Sequence, residues 1–131
     1  MWTYHQSTGA LEHDGVPHAV GYSGFGEGKN NPDMQEVHDF GPLPLGQFRI
    51  ELIEGDYEGK KAPVMRLIPK AGTNTFGRAG FLIHGDSVSA PGTASHGCII
   101  EGHAERVAIA ESGDLDFECE GPLLTPRAGG D

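Results

Sequence analysis

Phe81-Leu82-Ile83-His84-Gly85-Asp86, followed after a short loop by Ser95-His96-Gly97-Cys98-Ile99, is the stretch of sequence that decides the fold. An apolar run that ends in His-Gly predicts a buried strand with the imidazole of His84 at its end. A Gly-Cys turn presents the sulfur of Cys98 beside backbone N–H groups. A cysteine needs a base or a positive neighbour to become a nucleophilic thiolate, so this spacing predicts the outline of an acyl-transfer site.

The size and charge of the chain restrict its partners. Its 131 residues predict one domain, and the formal charge of −10 argues against a phosphate-binding surface, so we expect no nucleic-acid partner. We find no apolar run that could span a bilayer and no signal peptide in the first residues. We therefore expect a chain that stays in the cytoplasm, leaves it without a Sec signal, or has been shortened. We predict a domain over 1–121 and a flexible tail over 122–131.

The spread of 21 glycines and 9 prolines favours many short strands joined by turns. Alternating or continuously apolar patterns predict strands at 2–11 (with a turn near Ser7), 18–22, 47–53, 63–68, 79–83 and 114–120. The sequence also predicts a helix at His103–Glu111 that ends at Gly113. In the last strand Cys119 shares a face with Leu115 and Phe117, which indicates a small core residue. A Cys98–Cys119 disulfide is the alternative, and it would silence the proposed nucleophile.

The clustering of reactive side chains between residues 84 and 98 supports catalysis. Cys98 would attack a carbonyl, and a histidine would take the thiol proton and later protonate the leaving amine. The N–H groups of Gly97, Cys98 and Ile99 are candidate oxyanion donors, worth on the order of 3 kcal/mol each. Gly85 and Gly97 suit positions where the backbone approaches substrate.

Two other interpretations of the same residues remain open. A histidine two residues before a cysteine also occurs as a buried packing pair. A zinc site could be drawn from His84, Asp86, His96 and Cys98, but the spacing differs from the paired ligands of structural zinc, and we predict no metal and no cofactor.

These motifs resemble the signature of the YkuD-type L,D-transpeptidase catalytic domain: a His-Gly strand end, then Ser-His-Gly-Cys. The Pro42–Phe48 stretch is similar to another segment of those domains. Further segments resemble the type VI secretion L,D-transpeptidase effector family, and together they cover most of residues 2–110: Tyr4–Gly9, Gly21–Gly24, Gly28–Gln35, Val64–Leu67 and Phe76–Asp86.

The resemblance implies a mostly β fold, a sandwich or barrel of short strands with one short helix after the catalytic cysteine. It implies that Cys98 is the nucleophile and His84 the general base. His96 would support the oxyanion or thiolate, and Ser95 and Gly97 would complete the turn.

The expected substrate contacts follow from a departure from the general family. That family often carries Arg or Asn after the Cys-Ile pair, where Ile100 and Glu101 stand here. The motif positions make Arg78, Asn30 and Asn31 candidates for substrate contact, and we add Gly85 and Asp86 from the His-Gly-Asp strand end.

The implied substrate is the tetrapeptide stem of peptidoglycan. Cys98 would form a thioester and release the terminal D-alanine, and water, a D-amino acid or another stem would complete the reaction. The resemblance implies an antibacterial effector made in the cytoplasm that acts in the periplasm of target bacteria, with a secretion apparatus and an immunity protein as partners. The alternative is a non-catalytic wall-binding or phage-associated module of the same fold.

Overall fold

The computed structural model describes residues 1–121, and the predicted tail at 122–131 lies outside the described residues. Within this part of the chain, short strands dominate, as the glycine and proline content predicts. The strands are β1 (Trp2–His5), β2 (Ala10–His13), β3 (Val16–Val20), β4 (Tyr22–Ser23), β5 (Gly46–Ile53), β6 (Val64–Pro69), β7 (Leu82–His84), β8 (Ile99–Ile100) and β9 (Asp116–Glu120). One α-helix, α1 (His103–Glu111), and two 3-10 turns, Gly26–Gly28 and Pro32–Met34, complete the described elements.

The strands form one sheet in the order β3-β2-β1-β9-β5-β6-β7-β8-β4, which curls into a nearly closed barrel. The two edge strands, β3 and β4, are consecutive in sequence and meet at Gly21. The N–H of Gly21 donates to the carbonyl of Gly9 at 2.8 Å, and a Cβ at Gly21 would lie 2.2 Å from the carbonyl oxygen of Ile100. Glycine therefore allows the seam of the barrel to close, and the predicted mostly β fold is confirmed.

The core fills the interior of the sheet through the alternation that the sequence predicts. Phe48 and Ile50 on β5 and Met65 and Leu67 on β6 are all buried. Burying a side chain of this size stabilises the fold by about 1.5–3 kcal/mol. Leu52, which continues the same alternation, is 49% exposed, because β9 pairs with β5 only as far as Arg49. The end of the β5–β6 hairpin therefore extends beyond the core.

The helix and the last strand have the predicted bounds within two residues. Helix α1 spans His103–Glu111, and Gly113 follows with a φ of +73°, a conformation that glycine adopts readily. On β9, Phe117 and Cys119 are buried, as predicted for core residues. No helix within residues 1–121 has the length and apolarity needed to cross a membrane.

The short strand β7 lies between β6 and β8 and carries His84, one of the candidate site residues. It pairs antiparallel with β6 and parallel with β8. The predicted strand at 79–83 is shifted in the structure to Leu82–His84, because Gly80 has a φ of +78° and interrupts the extended backbone. The shift brings His84 into the strand itself.

Candidate active site

The parallel pairing of β7 and β8 brings the two halves of the motif together. Ile83 lies opposite Ile99 and His84 opposite Ile100, so Cys98, directly before β8, stands two ladder positions from His84. Strand spacing and rise put the two Cα atoms roughly 8 Å apart. Alternation along an extended chain puts residues 84, 98 and 100 on one face. Residues that are fourteen apart in sequence are therefore neighbours in the fold.

The imidazole of His84 is held in one orientation inside the barrel wall. His84 is 3% exposed, and its Nδ1 lies 2.8 Å from the carbonyl oxygen of Gly85. A carbonyl only accepts, so Nδ1 carries the proton and Nε2 of the neutral ring is left as an acceptor. Burial lowers the pKa of His84, and the positive charges of Lys60 and Arg106 lower it further, so the ring is neutral at pH 7.

The thiol of Cys98 is partly shielded and lies among positive charges. Its Sγ is 4.0 Å from the carbonyl oxygen of Gly80. Burial raises the pKa of the Cys98 thiol, while the backbone N–H of Leu82 and the charges of Lys60 and Arg78 oppose that increase. The resting state is therefore a neutral thiol beside a neutral imidazole, and a thiolate forms only when the proton is taken.

Ser95 organises the turn that presents the cysteine. Its side chain is fully buried, and its hydroxyl donates to the carbonyl of Cys98 at 2.6 Å. The same oxygen accepts from the N–H of Gly24 at 2.8 Å and of Gly97 at 3.2 Å. One hydroxyl thus ties both ends of the turn to the neighbouring glycine-rich loop. The N–H of Gly97, one of the predicted oxyanion donors, is engaged in this way.

Gly97 and Arg78 fit against each other below the turn. Gly97 has a φ of +126°, and a Cβ on it would lie 2.4 Å from Nη2 of Arg78. The guanidinium of Arg78 donates to the carbonyls of Gln35 and Pro42 from Nη1 and to that of Gly41 from Nη2. These bonds leave Arg78 7% exposed, so it supports the turn and supplies positive charge to it. Arg78 also lines the cavity of Cys98, and its contact with substrate stays a prediction.

His96 lies on the outer side of the same turn. Its ring is exposed, stacks on Phe25 with centroids 5.2 Å apart, and has Nδ1 2.9 Å from the carbonyl oxygen of Asp39. His96, Gly97 and Cys98 line a cavity of about 110 Å³. The two histidines thus have different surroundings, with His84 inside the sheet and His96 at the surface beside the sulfur.

Asn30 and Asn31, both predicted to contact substrate, serve the loop that carries them. Oδ1 of Asn30 accepts from the N–H of Ser23 at 3.0 Å, and Oδ1 of Asn31 caps the second 3-10 turn through the N–H of Asp33. Neither residue lines the cavity of Cys98 or that of His84. These side-chain bonds add to the backbone–backbone hydrogen bonds that hold the same loop.

A larger cavity of about 890 Å³ opens on the His84 side, and Gly85 and Asp86 line it. Gly85 has no space for a side chain, because a Cβ would lie 2.8 Å from Nη2 of Arg106. The carboxylate of Asp86 accepts from the hydroxyl of Tyr22 at 2.6 Å and from the N–H of Gly92. Burial opposes ionisation of Asp86, but these hydrogen bonds outweigh it and lower its pKa. Asp86 therefore fixes the 86–92 loop at the cavity rim.

Two further residues line this cavity. Neither belongs to a sequence motif, and the sequence assigns no role to either. Glu101 is 3% exposed, and neither carboxyl oxygen has a hydrogen-bond partner within residues 1–121. Burial, with the charge of Glu105, raises its pKa to about 8. Lys60 lies in the turn between β5 and β6, and it lines the cavity beside His84. Only the tertiary contacts reveal either residue.

The alternative chemistries of the cysteines and histidines can be compared with this geometry. His84, Asp86, His96 and Cys98 do not converge: in the described part of the chain, the one group of three or more ligand-type residues within 4.8 Å of one another is His13, Asp14 and Asp114. Cys98 and Cys119 are both free thiols, and Sγ of Cys119 lies 3.6 Å from the carbonyl oxygen of Leu43.

The comparison with known families gives one match. The model of the Tlde1 domain, a family of type VI secretion L,D-transpeptidase effectors, matches residues 18–114. These residues include β3 to α1 and the whole of the two-cavity region. No curated protein and no solved structure matches the chain.

Proposed function

Because the chain belongs to the Tlde1 domain family, whose members are type VI secretion effectors, we propose that it is a cysteine-dependent L,D-transpeptidase or L,D-carboxypeptidase. Its substrate is the tetrapeptide stem of peptidoglycan, and the reaction removes or exchanges the terminal D-alanine. Cys98 is the nucleophile and His84 the general base.

One observation carries this proposal: the parallel β7–β8 ladder sets His84 and Cys98 two positions apart on one face. A nucleophile and a base must be within reach of one substrate atom for acyl transfer. A span of roughly 8 Å between Cα atoms leaves room for two side chains on the same face to approach each other.

The protonation states support general-base catalysis. A neutral imidazole with a proton on Nδ1 has its lone pair at Nε2, where it can accept the thiol proton. Since burial raises the thiol pKa and lowers the imidazole pKa, the proton moves only as the sulfur attacks. The Gly85 carbonyl that holds Nδ1 also stabilises the imidazolium that forms.

The reaction then follows from these assignments. Sγ of Cys98 forms a bond to the carbonyl carbon of the diamino acid while its proton passes to His84. The C–N bond to D-alanine breaks, and His84 returns the proton to the leaving amine. The acyl group of the resulting thioester is then transferred to water, to a D-amino acid or to the amine of another stem as the C–S bond breaks. His84 accepts the proton of the attacking group and returns it to the sulfur of Cys98.

The turn that carries Cys98 supplies the remaining assistance. The backbone N–H of Cys98 has no acceptor within residues 1–121, so it is available to the oxyanion. Ser95 and Gly97 set the shape of the turn, and His96 borders the sulfur from the surface side. One such donor is worth on the order of 3 kcal/mol in the transition state.

The family supports the biological setting. We infer delivery by a type VI apparatus into the periplasm of a target bacterium, where damage to stem peptides is antibacterial. A producing cell that makes such an enzyme requires an immunity protein, and the secretion apparatus is the second partner. The charge of −10 gives no attraction to an anionic wall, so recognition must come from the cavities.

The test is to incubate the purified protein with tetrapeptide muropeptides and to follow D-alanine release by mass spectrometry. We expect loss of D-alanine from the stem and, with an added labelled D-amino acid, its incorporation. The C98A variant should do neither, and an intact thioester should be trapped on Cys98 in the wild type.

Binding of muropeptides with no turnover, unchanged in C98A, would contradict the enzymatic proposal. That result would support the wall-binding module instead. Equal inertness of wild type and C98A without binding would exclude both assignments.

A further inference from the structure

Lys60 differs from the other lysines near it in having no acidic partner. Lys61 pairs with Asp56 at 3.6 Å and Lys70 with Asp116 at 2.8 Å, whereas Lys60 has no carboxylate partner within residues 1–121. In a chain of charge −10, a half-buried lysine without a counter-ion is free to bind an anionic ligand. Its side chain lines the large cavity together with His84.

Hydrogen bonds fix the backbone of Lys60, so its ammonium group extends from a rigid turn. The N–H of Tyr57 donates to the carbonyl of Lys60 at 2.9 Å, and the N–H of Lys60 donates back at 2.8 Å. This small two-way bridge closes the turn at the end of the β5–β6 hairpin. A long side chain from a rigid turn loses less freedom on binding than one from a loose loop.

The charge of Lys60 reaches both reacting groups. It lowers the pKa of His84 and also that of Cys98, although the two side chains line different cavities. Arg78 acts on Cys98 and Arg106 on His84, and in each case the guanidinium is committed to backbone carbonyls. Among the cations that line the His84 cavity, Lys61 pairs with Asp56 and Arg106 binds backbone carbonyls, which leaves Lys60 with its donors free within residues 1–121.

We propose that Lys60 binds the C-terminal carboxylate of the stem peptide and makes the enzyme selective for stems that end in a free carboxyl group. This inference rests on the proposed function. The carboxylate of the terminal D-alanine lies one residue, about 4 Å, beyond the carbonyl that Cys98 attacks. Because His84 protonates the leaving amine of D-alanine, this carboxylate lies on the His84 side of Cys98, in the cavity that Lys60 lines.

The experiment compares two substrates and two lysine variants. The substrates are a tetrapeptide stem ending in D-alanine and the same peptide with a C-terminal carboxamide. The variants are K60M and K70M, which remove the same charge; Lys70 pairs with Asp116 and lines neither the His84 cavity nor the Cys98 cavity. Wild type and K70M should prefer the acid by about tenfold or more in kcat/KM.

K60M should lose that preference through a higher KM for the acid, with little change for the amide. If K60M keeps the wild-type preference, or if it lowers turnover of acid and amide equally, the inference is wrong. The difference between the effects on acid and amide is informative, because a structural defect in the turn would lower the turnover of both substrates.

A binding measurement separates this inference from the proposed function. In the C98S background, isothermal titration should show tighter binding of the acid than of the amide, and K60M should abolish the difference. If the wild type shows no turnover but this binding difference holds, the proposed function fails and the role of Lys60 stands. If turnover is normal and no binding difference exists, the role of Lys60 fails alone.

Discussion

Residues 95–101 and strand β9 each carry one cysteine, and they give the same thiol opposite surroundings. Cys119 is 2% exposed, and burial together with the charges of Glu118 and Glu120 raises its pKa far above the ordinary value. Cys98 is half-buried, and the positive charges of Lys60 and Arg78 counteract the effect of burial. The difference teaches that the neighbours of a cysteine, more than its burial alone, separate a core residue from a candidate nucleophile.

The acidic side chains of the two segments also differ in their exposure to solvent. On β9 the acidic side chains of Glu118 and Glu120 alternate outward and stay partly exposed. In the Cys98 segment, Glu101 is buried without a hydrogen-bond partner in the described chain. The regular strand thus avoids the cost of burying a carboxyl group without a hydrogen-bond partner, while the site segment retains that cost.

The strongest way to break the comparison is to remove each sulfur in turn. C98A should lower turnover of tetrapeptide stems by at least about 10⁴-fold, because the nucleophile is lost. C119A should retain most activity and lose about 1 kcal/mol of stability, because it leaves only a small void. Muropeptide turnover and urea unfolding measure the two effects. Comparable loss of activity in a folded C119A would remove the distinction between the segments.

Alkylation tests the same contrast without a substrate. In the native protein, iodoacetamide should modify Cys98 at least about 100-fold faster than Cys119, since Cys119 reacts only when the core opens. Peptide mapping by mass spectrometry gives both rates from one sample. Equal rates in the native state, with equal rates again in urea, would contradict the assigned environments.

Glu101 should make stability depend on pH. Its pKa is about 8 in the folded state and near 4.5 when unfolded, so its contribution is complete below pH 4.5 and is lost as pH rises toward 8. E101Q should therefore match the wild type near pH 4 and exceed it by on the order of 3 kcal/mol at pH 7. Urea unfolding at several pH values measures this difference.

The matched control for that measurement is E118Q on β9, which removes one acid from a half-buried strand position. The control reports what loss of a surface carboxylate does by itself. A difference for E101Q that stays constant from pH 4 to pH 8 would show that Glu101 is ionised in the folded protein.

The smallest expected effect concerns the charge next to Cys98. R78M should raise the pKa of the Cys98 thiol, because the lowering effect of the guanidinium charge is lost, and should lower its alkylation rate at pH 7 several-fold. R78K should keep the thiol pKa close to that of the wild type but lose stability, because an ammonium cannot bind the three carbonyls that the guanidinium holds. The pH profile of alkylation and urea unfolding separate the two roles. An unchanged pKa in R78M would leave Arg78 with a structural role only.

Local patterns allowed much of the fold to be predicted. The alternation of Phe48 and Ile50, the helix at His103–Glu111 and the inward face of β9 all follow from side-chain periodicity, and the structure confirms them. The exposure of Leu52 did not follow, because it depends on where a distant strand stops pairing. Periodicity predicts a face, and the neighbouring strand decides whether that face is covered.

The candidate site was less predictable. The His-Gly and Ser-His-Gly-Cys motifs identified His84 and Cys98, whose roles stay predictions, whereas motif position alone suggested contacts for Asn30 and Asn31 that the cavities do not include. An amide side chain in a glycine-rich loop is as often required by the loop as by a ligand. The sequence around an asparagine does not distinguish these uses.

The sequence by itself determined the nucleophile candidate, the strand that ends in His84 and the mostly β class, since each depends on residues close together in the chain. Only the tertiary structure decided that Lys60 lines one cavity with His84, and that Glu101 is buried without a partner within residues 1–121. The physical reason is that charge and burial depend on distance in space. The parallel β7–β8 pairing and the closure of the barrel at Gly21 set those distances, and neither has a local signal in the sequence.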